Sequence, residues 1–224
     1  MVSGAVQSGK STYIKYLDKK AMNVQVKGQN NKLYTVAMDL GSLKVNGFDV
    51  FLFGTPGLIR FRVMTELICR GADGLIFIFD AAHPEKDNNA ISLLNSIRKV
   101  CEPNIPITYL ANKQDLEGAR KPEMIRKKNR LPEDANFFPT SIKKGLNIDK
   151  SLRFLVNEIY DNYKELLQIL LDYENDIRGL ADKLHKNKEQ IRDFLNMMEL
   201  KRFIAIDRTN RIYKVREGLK HIIM

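Results

Sequence analysis

Ser3-Gly4-Ala5-Val6-Gln7-Ser8-Gly9-Lys10-Ser11-Thr12 carries the spacing G-x-x-x-x-G-K-[ST]. Gly4 and Gly9 allow the backbone to close into a nest of N–H donors that side chains would crowd. Lys10 can then reach the terminal phosphates of a nucleotide as a point charge. The Ser11 hydroxyl can ligate the Mg²⁺ that bridges those phosphates. A helix beginning near Lys10 turns the positive end of its dipole toward the same anion. Gln7, Ser8 and Thr12 complete the phosphate-lining set. The chemistry implied is binding of a nucleotide polyphosphate.

Such a loop needs a strand before it and a helix after it. Only Met1-Val2-Ser3 precede Gly4, so the expectation is a shortened strand or a start lying further upstream. Tyr13, Ile14 and Leu17 have helical spacing, which predicts a helix over 11–20. The polar stretch 23–32 reads as a loop. A strand is expected from Leu33 through Met38 and on to Val45, and another over Phe48–Phe53, joined by the hairpin dipeptide Asn46-Gly47. The second strand runs into Gly54-Thr55-Pro56-Gly57, after which Phe61, Met64, Leu67 and Ile68 form a helical stripe.

Strands and helices then alternate. Gly74 to Asp80 is a continuous apolar run, the pattern of a strand covered on both faces. A helix follows through Ile91, Leu94, Ile97 and Val100. The strand Ile105–Ala111 ends in Asn112-Lys113-Gln114-Asp115. A basic helix over 122–130 leads to a short strand at Phe137-Phe138, ending in Thr140-Ser141-Ile142-Lys143. A last helix starts at Ile148 and carries Leu152, Leu155, Val156 and Ile159. The pattern predicts an α/β fold, a mostly parallel sheet with helices on both faces and its polar motifs at the strands' carboxyl ends.

In this order the motifs resemble those of the Ras-like small GTPases, over residues 1–164. The resemblance implies a P-loop G domain that binds GTP and GDP with Mg²⁺. Asn112, Lys113 and Asp115 match N-K-x-D, whose aspartate accepts from the ring N–H and exocyclic amine of guanine. Ser141, Ile142 and Lys143 match the looser S-A-K element, whose backbone meets the guanine carbonyl. Thr35 stands where the first switch places its Mg²⁺-ligating threonine, so Ser11 and Thr35 form the implied metal pair. Gly57 is the glycine of the second switch. Thr35-Val36-Ala37-Met38-Asp39 and Leu52-Phe53-Gly54-Thr55-Pro56-Gly57 resemble a prokaryotic branch that reads G-T-P-G in place of D-x-x-G.

Three departures bear on catalysis, for which Lys10, Thr35 and position 58 are the implied residues. Gly54 replaces the aspartate that holds a Mg²⁺ water. Leu58 replaces the glutamine that orients the attacking water. Val6 stands where a P-loop glycine leaves room for a catalytic side chain. Phosphoryl transfer depends on positioning and charge stabilisation, so hydrolysis is expected to be slow. The alternative is that Leu58 packs on the switch helix while another group positions the water.

Residues 165–224 lie outside that pattern. Leu166, Leu167, Leu170 and Leu171 predict one helix. Asp176 can cap a second, bearing Ile177, Leu180 and Leu184, and Ile191, Phe194, Leu195 and Met198 mark a third. A hairpin over 203–215 completes an arrangement that resembles a small winged helix-turn-helix domain. No Pro or Gly interrupts 146–178, so the last helix of the G domain is expected to run into this part or pack against it. Of the net charge of +10, +8 falls in residues 1–164 and +2 in the rest. Residues 176–216 could engage DNA or a protein partner, and the weak positive balance leaves both open.

The expected whole is a guanine-nucleotide switch that relays its state to the winged-helix module and to a protein effector or regulator. The alternative is a regulatory or scaffold protein with structurally bound nucleotide, whose winged helix does the work. Composition is that of a soluble globular chain, 44% hydrophobic and 29% charged. No apolar run reaches the ~18 residues of a membrane span. Neither a signal peptide nor a lipidation motif is read. Cys69 and Cys101 fit buried free thiols of a cytoplasmic protein, and three scattered histidines have no metal-ligand spacing.

Overall fold

Leu75-Ile76-Phe77-Ile78-Phe79-Asp80 has no polar side chain before its last residue, and such a strand is stable where both faces are covered. The computed structural model describes residues 1–22, 25–27, 33–35, 38–55, 68–69, 71–101 and 104–223. It buries every residue of that strand. In chain order the strands are β1 (Val2–Gly4), β2 (Gln25–Lys27), β3 (Leu33–Thr35), β4 (Asp39–Val45), β5 (Phe48–Gly54), β6 (Leu75–Asp80), β7 (Ile107–Asn112), β8 (Asn136–Pro139), β9 (Ile204–Asp207) and β10 (Ile212–Val215). The helices are α1 (Lys10–Leu17), α2 (Asp87–Arg98), α3 (Pro122–Lys128), α4 (Ile148–Asp172), α5 (Ile177–Lys183), α6 (Lys188–Leu200) and α7 (Glu217–Ile223).

The main sheet has the order β4-β5-β1-β6-β7-β8. β1 is three residues long and pairs parallel with β5 at Val2↔Gly54 and with β6 from Val2↔Ile76 to Gly4↔Ile78. β6, β7 and β8 continue in parallel, with Asp80 opposite Asn112. The carboxyl ends of β1, β6 and β7 therefore gather the phosphate loop, Asp80 and the Asn112–Asp115 segment on one edge.

Chain segments Met1–Leu43 and Val50–Ile159 form one compact unit. Its core is aromatic: Phe77 and Phe79 sit 5.2 Å apart by ring centroid, and Phe137 lies 5.8 Å from Phe79 and 5.6 Å from Tyr109. Leu94 and Ile97 of α2 and Ile125 of α3 close over this cluster. Full burial of each such side chain contributes roughly 1.5–3 kcal/mol. Cys69 and Cys101 are buried free thiols.

Three local expectations differ from what is observed. Helix α1 stops at Leu17 rather than Lys20, because Asp18 turns extended (φ −129°) and its carboxylate accepts from the N–H groups of Lys20 and Ser42. The strand expected from Leu33 to Val45 is two separate strands in two sheets. β3 pairs antiparallel with β2, inside the stretch expected to be a loop, whereas β4 belongs to the main sheet. A two-stranded ribbon needs only backbone donors and acceptors, and the alternation of Val24 and Val26 with polar residues is the short period-2 pattern of such a strand. The expected stripe of Phe61, Met64 and Leu67 lies outside the described residues.

The second unit comprises Lys44–Asp49 and Tyr160–Met224; residues 160–164, assigned from sequence to the first part, group with it. Leu167, Leu170, Leu180, Ile191, Leu195, Ile204 and Tyr213 build its core, and the hairpin tip adds Phe48, whose ring lies 5.7 Å from Tyr160. Asp176 caps α5 by accepting from Gly179 N. Asn187 caps α6 with a reciprocal box, accepting from Gln190 N while Gln190 Oε1 accepts from Asn187 N. β9 and β10 pair antiparallel, and Asp207 closes their turn by accepting from Thr209 N and Asn210 N.

Candidate nucleotide site

Gly4 and Gly9 sit in left-handed backbone, at φ +147° and +111°, and Gln7 joins them at φ +60°. A Cβ on Gly4 would collide with the carbonyl oxygen of Ile78, and one on Gly9 would stand 2.5 Å from Asn112 Nδ2. Both glycines are thus required by space as well as by φ. The loop curls back on itself through Ser8 N donating to Ala5 O, and α1 begins directly after Gly9. The amino end of α1, the end of a helix that favours an anion, thus follows the loop directly.

Lys10 is 6% exposed, and its Nζ donates to Gly4 O and Ala5 O, each at 2.9 Å. Burial lowers its ammonium from the ordinary 10.5 to about 8, against the favourable charge of Asp39. An anion beside such a lysine would offset the burial penalty and favour its charged form. Ser11 Oγ donates to Asp39 Oδ2 at 2.8 Å. Gln7 and Thr12 are exposed. Ser8 is buried, and its Oγ has no hydrogen-bond partner among the described residues.

Asn112, 3% exposed, fastens three segments together. Its Nδ2 donates to Ser8 O at 2.8 Å, and its Oδ1 accepts from Ile142 N at 3.3 Å. The Asp115 carboxylate accepts from Ser141 Oγ at 2.6 Å, which holds it below the usual carboxylate range. Lys143 is exposed at the same loop. Lys113, in left-handed backbone at φ +72°, donates to Asp80 Oδ2 at 2.6 Å. Burial by itself would raise the Asp80 carboxyl, but hydrogen bonds from Lys113, Lys86 and His83 bring it below its ordinary value. The phosphate loop and the two segments at the ends of β7 and β8 thus form one connected site.

Residues 1–161 of the chain match the Ras family. The chain belongs to the Ras family. Similar proteins include the Ras-related protein Rab-4B of Homo sapiens and of Rattus norvegicus. Each is 28% identical over 168 residues, which cover 71% of this chain and 76% of the relative. The Ras-related protein Rab-13 of Rattus norvegicus is 28% identical over 137 residues, 59% of this chain and 63% of its own length. As a member of this family the chain is a GTPase that binds GTP and GDP with Mg²⁺.

The residues present fit that cofactor. The two glycines stand where a Cβ would strike Ile78 O and Asn112 Nδ2, so the tight curl depends on them, and the same loop holds a buried lysine and a Ser8 hydroxyl with no hydrogen-bond partner among the described residues. A hydroxyl (Ser11) backed by a carboxylate is a hard oxygen donor suited to Mg²⁺. Bound Mg²⁺ supplies charge neutralisation of the phosphate oxygens. The side chain of Thr35, and the whole of Gly57 and Leu58, lie outside the described residues. Sequence reasoning missed Asp80 and gave Asp39 no role. The available signal was an acidic residue at the carboxyl end of an apolar strand, and one facing the phosphate loop from the start of the neighbouring hairpin.

Proposed function

We propose that the chain is a guanine-nucleotide switch with slow intrinsic hydrolysis, of the prokaryotic branch that its G-T-P-G segment resembles. Gly4, Gln7, Ser8, Gly9, Lys10, Ser11 and Thr12 hold the phosphates. Asn112, Lys113, Asp115, Ser141, Ile142 and Lys143 hold the base. Ser11 and Thr35 ligate Mg²⁺, and Gly57 meets the terminal phosphate. The observation that carries slow hydrolysis is Leu58, an apolar side chain at the position from which the family orients the attacking water. Single-turnover hydrolysis by the pure protein is expected at or below about 10⁻³ s⁻¹, with Leu58→Gln faster by tenfold or more. A wild-type rate above about 10⁻² s⁻¹ removes this reading.

The second unit reads as a winged-helix module that couples the switch to a protein partner. Two of its exposed arginines, Arg192 and Arg208, are paired with carboxylates at home, which favours protein over DNA. Arg208 pairs with Glu199 at 2.6 Å, and Arg192 lies 4.0 Å from Glu189 and 3.7 Å from Asp193. A reader of phosphates draws its affinity from counterion release, which paired arginines supply poorly. Fluorescence anisotropy with duplex DNA at rising salt tests the choice: a steep negative log–log slope favours DNA, and no binding favours the protein partner. Among the described residues no helix is long and apolar enough to cross a membrane. A cytoplasmic setting belongs to this proposal and is supported by the two buried free thiols.

A further inference from the structure

Asp80 closes β6 directly opposite Asn112 of β7, and its side chain is fully buried. Lys113 Nζ donates to its Oδ2 at 2.6 Å, Lys86 Nζ donates to the same oxygen at 2.8 Å, and His83 Nδ1 lies 2.9 Å from its Oδ1. A buried carboxylate is penalised by desolvation and persists where cationic partners offset the penalty. His83 and Lys86 lie three and six residues further along the chain, in the turn that follows β6. The Lys113 contact is different in kind, because it spans 33 residues and reaches the segment that ends β7.

Lys113 is a residue that needs holding. It sits in left-handed backbone at φ +72°, which a residue with a side chain keeps where its surroundings over-determine it. Its neighbours are tied through the backbone and through Gln114: Ala81 N donates to Asn112 O at 2.9 Å, Leu116 N to Lys113 O at 3.0 Å, and Gln114 Nε2 to Ala111 O and Arg120 O. The Lys113 ammonium is fixed by Asp80. A long side chain ordered before a ligand arrives removes that ordering cost from binding. With its ammonium occupied by a carboxylate, the part of Lys113 left to cover a flat ring is its aliphatic stem.

We propose that Asp80 is a positioning residue for guanine-nucleotide binding: it acts through Lys113, whose side chain it holds ready to pack on the base. The assignment rests on the reading of Lys113 as a base-holding residue. It separates Asp80 from Asp115, whose carboxylate is held by Ser141 instead.

Affinity of the full chain for a fluorescent GDP (mant-GDP) in Mg²⁺, measured as a double-mutant cycle, tests this. Asp80→Asn is expected to weaken binding roughly tenfold or more in the wild-type background, and by less than about twofold in the Lys113→Met background. A merely structural carboxylate would cost the same in both. Equal losses overturn the proposal, as does a loss below about twofold in the wild-type background. Lys86→Met removes a partner of the same oxygen and leaves Lys113 its own, so its affinity is expected within about threefold of wild type. A loss matching that of Asp80→Asn would assign the effect to the charge cluster as a whole and also overturns the proposal. Inosine diphosphate lacks the exocyclic amine of guanine, so its affinity relative to GDP reads the Asp115 contact. That ratio is expected to stay within about twofold in Asp80→Asn, and its collapse would show that the whole segment has moved, against the assignment. If Asp80→Asn folds poorly, Asp80→Asn with Lys86→Met leaves one cation fewer facing a neutral amide. Against Lys86→Met alone the same loss of roughly tenfold is expected, and no loss overturns the proposal. Lys113→Met binding as tightly as wild type would remove Lys113 from the base and this assignment with it. Failure of the wild-type chain to bind mant-GDP would instead remove the nucleotide reading itself.

Discussion

Lys10 shows how burial sets the working range of the lysine proposed to bind phosphate. In the free protein its value lies at about 8, below the ordinary 10.5, because the charged form is disfavoured by burial. The folded chain thus binds fewer protons at this site than the unfolded chain between pH 8 and 10.5. The resulting stability cost is fully present below pH 8 and is relieved as pH rises through that window. Nucleotide phosphates favour the ammonium, so binding takes up a proton once the free lysine has lost its own. Affinity for Mg²⁺·GDP is expected to fall above pH 8, by up to roughly tenfold per pH unit. Fluorescence titrations from pH 7 to 9.5 measure this, and a flat profile would show that Lys10 keeps its charge in the free protein. At the base end, Asp115→Asn exchanges a carboxylate acceptor for an amide donor. Loss of a hydrogen bond to a charged group costs about 1.5–3 kcal/mol, so guanosine preference should drop ten- to hundredfold and pass to xanthosine nucleotides in competition binding. The residues proposed for this site, within Gly4 to Thr12 and Asn112 to Asp115, stand out in the sequence because glycine, lysine, hydroxyl and carboxylate types recur there at a spacing with a chemical reason. Asp39 and Asp80 do not, because their meaning depends on which strands become neighbours.

Elements were legible where one face or both are buried, and poorly so where backbone pairing alone decides. β6 announces itself as an apolar run, while β2 is a three-residue strand paired to β3 whose only sequence signal is the short alternation of Val24 and Val26 with polar neighbours. Helix ends follow local side-chain chemistry: Asp18 truncates α1, and Asn187 with Gln190 starts α6. Asn187→Ala removes one side of a reciprocal cap that serves the Glu189 and Gln190 N–H groups. The expected cost is about 1 kcal/mol of stability in the second unit. Urea unfolding followed by circular dichroism reads it, and an unchanged midpoint would mean that packing of Ile191 and Leu195 alone sets the helix start.

At the scale of the molecule, the chain passes between its two units inside α4 and through the β4–β5 hairpin, an arrangement that no linker-like composition signals. Ligand binding to the folded state alone stabilises it by mass action, by about 4 kcal/mol at a thousandfold excess over Kd. Calorimetry with saturating Mg²⁺·GDP is therefore expected to raise the transition that melts the core of the first unit, and EDTA treatment to lower it. No change in either direction would mean that nucleotide does not discriminate folded from unfolded chain.

The three residues of β1 have a consequence for the order of assembly. Both strands that hold β1 lie far downstream, at Gly54 and at Ile76 to Ile78. Closing contacts over such separations is entropically slow. The curl of the loop that follows β1 rests on pairings with β5 and β6, so it is expected to form late in the assembly of its unit, and nucleotide capture to follow folding rather than to start it.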